Sequence, residues 1–175
     1  RDCGSSPHTT TLLFPPTFTP PFLSGPIHML NVGFRVPEMR REFGGCAGNI
    51  AYSLKMLGGD PLIMASVGED YQPYAYRLEK LRLSQAHVRQ VAEAFTAQAF
   101  ITTDLDDNQI TAFHPGAMNF SHLNHVTDAR DVGLGIVAPD GREGMLQHAR
   151  EFHEAVIPFI FDPGQQCARL AGDQL

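Results

Sequence analysis

The stretch Phe43-Gly44-Gly45-Cys46-Ala47-Gly48-Asn49-Ile50-Ala51 constrains this chain most, because it sets three glycines within five positions just ahead of a helical pattern. Glycine reaches backbone conformations closed to other residues and lets a ligand approach the main chain closely. The N–H groups of a first helical turn have no partner inside the helix, so they face whatever lies ahead of it. Asn49 adds an amide that both donates and accepts, which suits neighbouring sugar hydroxyls. Taken alone, such a turn is equally well a tight strand-to-helix connection with no ligand. The helix it opens runs to about Leu57, with Ile50, Leu54 and Leu57 spaced to give one apolar face. Gly58 and Gly59 stand where a left-handed C-terminal cap belongs.

Around this turn the chain divides unevenly. From Cys3 to Phe34 there is no Asp, Glu, Lys or Arg, and seven of the 13 prolines fall at or before Pro37. Prolines at 15, 16, 20, 21 and 26 remove backbone donors, so residues 1–26 read as a poorly ordered, atypical N-terminal segment. Residues 27–175 read as the domain proper. The pattern predicts strands at Ile27–Val36 and Leu62–Val67, a helix at Pro73–Leu81 with Tyr74, Leu78 and Leu81 on one side, and a hairpin. The hairpin pairs Ala94–Thr103 with Gln109–Phe113 across Asp106-Asp107-Asn108. Leu134–Ala138, a helix from Arg142 to Ala155, and Ile157–Phe161 form a strand–helix–strand unit whose continuous apolar strands suit a parallel sheet buried on both faces. The expected class is α/β: a mostly parallel, Rossmann-type layer flanked by helices, with a small β-sheet projection.

At 175 residues the chain suffices for one domain or a piece of a larger one. No run of about 18 apolar residues is present, so no transmembrane helix and no membrane partner are expected. A formal charge of −6 argues against nucleic acid as partner. Cys3, Cys46 and Cys167 are odd in number and widely spaced, which suggests reduced thiols and a cytoplasmic setting. The early apolar stretch is broken by Pro15 and Pro16 and does not read as a signal peptide.

After Ala51, six residues lead to Gly58 and nine more to Gly68. This full spacing resembles the N-terminal signature of the ribokinase-like (PfkB) carbohydrate kinase family, most closely bacterial sequences described as adenosine or sugar kinases. The likeness runs over residues 27–165 and takes in the hairpin Phe95–Phe113, His114-Pro115-Gly116-Ala117, Ala138-Pro139-Asp140-Gly141 and Phe161-Asp162-Pro163-Gly164. It implies ATP-dependent phosphorylation of a sugar or nucleoside hydroxyl, with ATP and Mg2+, and a β-sheet lid (strands within about 27–43 and 94–116). Carried over by motif, Gly44, Gly45 and Asn49 bind substrate hydroxyls, and Phe100 and Ile101 of the lid cover the substrate. Asp140 and Asp162 end predicted parallel strands, where ligands gather in open α/β sheets. Asp140 equally fits a cap for the following helix. The lid of this family can also mediate homodimers.

Two departures from the family pattern stand out. The substrate-gripping Asp of the family's first strand should fall near Thr9, which has a single hydroxyl, and Ser6-Pro7-His8 makes a poor central strand. The motif Asp-Thr-x-Gly-Ala-Gly-Asp, whose last Asp is the family's general base, has no counterpart. Ala171-Gly172-Asp173 imitates its end but follows Cys167-Ala168-Arg169-Leu170 and comes too early. The chain is therefore expected to stop before the catalytic half, with no catalytic residue of its own. The alternative is a non-catalytic sugar- or nucleoside-binding module, or one that self-associates through an exposed edge at Ile157–Phe161.

Other constellations weigh less. His122 and His125, with His114 and Asp128, lack the ligands of a zinc site, so they read as solvated histidines and no metal site is assigned. Cys46 reads as a small packing residue. Asp104, Asp106 and Asp107 read as a solvated turn, since no calcium-loop glutamate follows. Glu143, Glu151 and Glu154 with Arg142 and Arg150 read as a charged helix face. Gly44–Gly48 lacks the spacing of a dinucleotide fingerprint.

Overall fold

Threonine determines the first described element. In the computed structural model, which describes residues 8–13 and 36–170, His8–Leu13 is strand β1. This stretch lies within residues 1–26, which the prolines lead one to expect as poorly ordered. Thr9, Thr10 and Thr11 are β-branched, and no proline falls between His8 and Leu13, so the row of backbone donors and acceptors is unbroken there. β1 is also a central strand: β2 (Glu38–Phe43) pairs antiparallel on one side and β5 (Gln98–Thr103) parallel on the other. With β6 (Gln109–His114) antiparallel to β5, the order is β2-β1-β5-β6. The other expectations for 1–26, and the strand expected at Ile27–Val36 except for Val36, lie outside the described residues. Val36 precedes β2 and is not itself in a strand.

The β5–β6 hairpin closes as its acidic turn predicts. The Asp104 carboxylate accepts hydrogen bonds from the N–H groups of Asp106 and Asn108 and from the Asn108 amide, each at 2.9 Å, and Asp107 takes φ 61°. These bonds occupy Asp104, which is buried rather than solvated.

Helix α1 (Cys46–Met56) ends as its glycines predict. Gly58, at φ 86°, donates to Lys55 O and Gly59 donates to Leu54 O, closing a Schellman cap. Its packing face differs from the expected one. Ala51 is the buried position, joined by Ala47 one turn earlier, whereas Leu57 is 85% exposed. Small residues let the helix sit close to β3 (Leu62–Val67) and α2 (Gln72–Lys80), so the core forms from Ala51, Ile63, Tyr74, Leu78 and Leu83. Tyr74 and Leu78 of α2 are buried and Leu81 packs against them, as the periodicity predicts.

β4 (Ser84–Gln90), parallel to β3, has no counterpart in the sequence reading. Its residues are mostly polar, and Val88 is the side chain it contributes to the core. β7 (Gly135–Val137), α3 (Arg142–Glu154) and β8 (Phe159–Phe161) form the expected parallel strand–helix–strand unit. Those strands are covered on one face rather than two, since Ile136 is 40% and Ile160 53% exposed. Among the described residues no helix is long and apolar enough to cross a membrane.

Candidate functional site

The glycine turn joins β2 to α1. Gly45, buried at φ 97°, precedes the first helical residue, a conformation in which a side chain would be strained. Its carbonyl accepts the first helical bond, from Asn49 N–H at 2.9 Å. The side chain of Asn49 is exposed on that first turn, not packed into the core. Behind the turn lies Tyr74, whose hydroxyl donates to Gly44 O at 3.0 Å. Gly48 faces the same hydroxyl, and a Cβ built there would lie 1.9 Å from it.

The later glycine of the signature, Gly68, has a steric reason. A Cβ there would meet the backbone of Ala94 to Thr96 at 2.2 to 2.4 Å. Its N–H donates to Thr96 Oγ1 at 2.9 Å, and Asp70 accepts from Thr96 N–H and from Gln98 Nε2, both at 2.7 Å. These bonds tie the segment before α2 to the start of β5.

A cavity of about 740 Å3 lies beside the turn, lined among others by Gly44, Gly45, Ile50, Leu54, Val137 and Asp140. The structure thus brings Gly44, Gly45 and Asp140 to one cavity. Asn49, Phe100, Ile101 and Asp162 are not among its lining residues. Phe100 and Ile101, adjacent on β5, project from opposite faces of the sheet. Phe100 shares a face with Gln98 and Phe43 and is 44% exposed, while Ile101 is partly buried.

Asp140 and Asp162 follow neighbouring parallel strands, β7 and β8, so their strand ends lie side by side. Asp162 is exposed, and its carboxylate accepts from Gly164 N–H at 3.1 Å. Asp140 does not cap α3. Its Oδ1 accepts from Gly141 N–H at 2.7 Å, and Gly141 is itself the N-cap, without a side-chain cap bond. Burial pushes the Asp140 carboxyl up to about 7, against the opposing pull of the Gly141 N–H and the nearby Ser121 hydroxyl.

Of the histidines read as solvated, His114 and His125 are exposed and His122 is half-buried. His125 Nδ1 lies 2.7 Å from Glu151 Oε1, whose partner oxygen accepts from Val126 N–H. His148 Nε2 lies 2.9 Å from Asn124 O. Glu151 therefore leaves the charged helix face to anchor a loop. Burial raises its carboxyl, but the bonds from His125 and Val126 and the His125 and His148 charges outweigh this and hold it below the usual range. Among the described residues no group of three His, Cys, Asp or Glu side chains is placed to hold a metal ion. Sequence reasoning missed Tyr74 as a support for the turn, Asp70, and the two bonds of the Asn124 amide, which donates to Ser66 Oγ and accepts from Arg89 Nε. Each joins residues at least 26 apart, where no local spacing signals contact.

With this geometry in hand, likeness to known proteins is informative. Residues 27–135 match the pfkB family carbohydrate kinase. A nucleoside kinase of Methanothermobacter thermautotrophicus is 30% identical over 152 residues, which cover 83% of this chain and 48% of the relative. The structure of Burkholderia thailandensis nucleoside kinase in complex with inosine is 50% identical, with a TM-score of 0.85 over 98% of this chain and 54% of that one. The same kinase is also solved in complex with ADP-inosine, with a TM-score of 0.78. Methanocaldococcus jannaschii nucleoside kinase, an archaeal member of the ribokinase family, shares the fold at 24% identity and a TM-score of 0.78. The chain spans about half the length of the relatives it matches. Its fold is the ribokinase-like α/β fold, and by the match over residues 27–135 the chain belongs to the pfkB family of carbohydrate kinases.

Proposed function

We propose that this chain forms the nucleoside-binding part of a kinase that transfers the γ-phosphate of ATP to a primary hydroxyl of a nucleoside. The observation that carries the reading is the 50% identity, over 98% of this chain, to a nucleoside kinase solved with inosine. In this reading Gly44, Gly45 and Asn49 hold the ribose hydroxyls. A backbone N–H donates, and the Asn49 amide donates and accepts, so neighbouring hydroxyls are satisfied without a charged group. The β5–β6 hairpin serves as lid, with Phe100 and Ile101 on its first strand, and keeps water from competing as acceptor. Asp140 and Asp162 stand on the phosphate side.

ATP enters as its Mg2+ complex and is a substrate. The acceptor oxygen bonds to the γ-phosphorus as the bond to the ADP leaving group breaks, and the hydroxyl proton passes to a general base. These 175 residues contain no Asp-Thr-x-Gly-Ala-Gly-Asp segment, where the family resemblance puts that base. The proposal therefore extends to this: residues 1–175 by themselves bind nucleoside but do not turn it over. Calorimetric titration of the purified chain with inosine and adenosine, beside an assay for ADP release, tests both parts. Heat of binding without ADP is expected. No binding of either nucleoside overturns the reading, and nucleoside-dependent ADP release overturns its extension.

A further inference from the structure

The Tyr74 hydroxyl touches the glycine turn at both ends. It donates to Gly44 O at 3.0 Å, and it fills the space where Gly48 would carry a side chain. The ring behind it is fixed. Tyr74 is 7% exposed, packed with Ala51, Ile63, Leu78 and Leu83, with the Phe43 ring centroid at 5.3 Å and that of Tyr71 at 6.1 Å. A peptide bond is planar and trans, so the carbonyl of Gly44 and the N–H of Gly45 point in opposite directions. Holding that carbonyl against α2 turns the Gly45 N–H away from α2. Without the phenol the Gly44–Gly45 peptide has little to stop its rotation, because glycines leave both flanking torsions free.

We propose that Tyr74 is a positioning residue for ligand binding: its hydroxyl sets the peptide plane that presents the Gly45 N–H to a ribose hydroxyl oxygen. This rests on the nucleoside reading above. Burial also raises the phenol above its ordinary value, with Arg77 pulling the other way, so it stays a donor at neutral pH.

Titration of the 175-residue chain with inosine and with 2′,3′-dideoxyinosine separates positioning from mere support of the fold. Tyr74→Phe keeps the ring and removes the donor. It is expected to weaken inosine about fivefold, the scale of one hydrogen bond, while leaving the dideoxy analogue unchanged. Equal weakening of both ligands, or of neither, overturns the proposal. If Tyr74→Phe does not fold, Gly48→Ala displaces the hydroxyl from the other side, and the same contrast between the two ligands is expected of it. Failure of the unaltered chain to bind inosine defeats the nucleoside reading itself. Normal binding by that chain, with no contrast in the variants, defeats only the role of Tyr74.

Discussion

In the proposed reading the glycine turn offers a nucleoside backbone N–H groups and the Asn49 amide, and a buried phenol holds the turn from behind. At the ends of β7 and β8 the groups are carboxyls, and the one that lines the cavity, Asp140, is raised to about 7 by burial. The first region is organised by shape: a positive φ at Gly45, a hydroxyl under Gly48, and backbone packed against Gly68. The second is organised by charge. Recognition at the turn should therefore change little with pH, whereas folding around the strand ends should change markedly.

Asp140 gives the largest expected effect. A carboxyl moved from 3.8 to about 7 favours the protonated form in the folded chain, so its stabilising contribution is complete below the unfolded value and is lost as pH rises through 7. The full shift corresponds to about 4 kcal/mol. Asp140→Asn should match the parent chain in thermal melting at pH 4 and exceed it clearly at pH 8. A variant less stable than the parent at pH 8 would remove the electrostatic half of the contrast.

Gly68→Ala comes next. A Cβ there meets rigid backbone, not a flexible side-chain tip, and a loss of about 3 kcal/mol is expected. Chemical denaturation should give the same loss at pH 6 and pH 8, since shape carries it. A smaller effect follows from Glu151. Its carboxyl is held below the usual range, so its contribution is present above the unfolded value and fades as pH falls through the folded one. Glu151→Gln should cost about 2 kcal/mol at pH 7, and the gap from the parent should narrow in acid.

The sequence made the regular elements legible where local chemistry is sufficient: the Gly58–Gly59 cap, the Asp104–Asn108 turn, the buried side of α2, and the strand–helix–strand unit. It concealed β1 because the surrounding prolines dominate the composition, while Thr9 to Thr11 carry the strand. It concealed β4 because that strand's polar residues show no apolar alternation. The apparent apolar stripe of α1 misled for another reason: close packing selected the small residues Ala47 and Ala51, leaving Leu57 in solvent. Within the proposed site, the glycines and Asn49 stand out in the sequence, but that Gly44 and Gly45 line the cavity while Asn49 does not is visible only in the fold. Tyr74 does not stand out, because its partner Gly44 lies 30 residues away and only the folded core brings them together.

The central claim is that the turn carrying Gly45 and Asn49 is a neutral nucleoside-binding surface. Its most direct test is a calorimetric titration of inosine into the chain and into Asn49→Ala at pH 6 and pH 8. Because Asn49 is exposed, the variant should melt with the parent. The predicted result is about tenfold weaker binding for the variant, the same at both pH values. Equal affinity in parent and variant, or a ratio between the two affinities that changes several-fold between the two pH values, would contradict it.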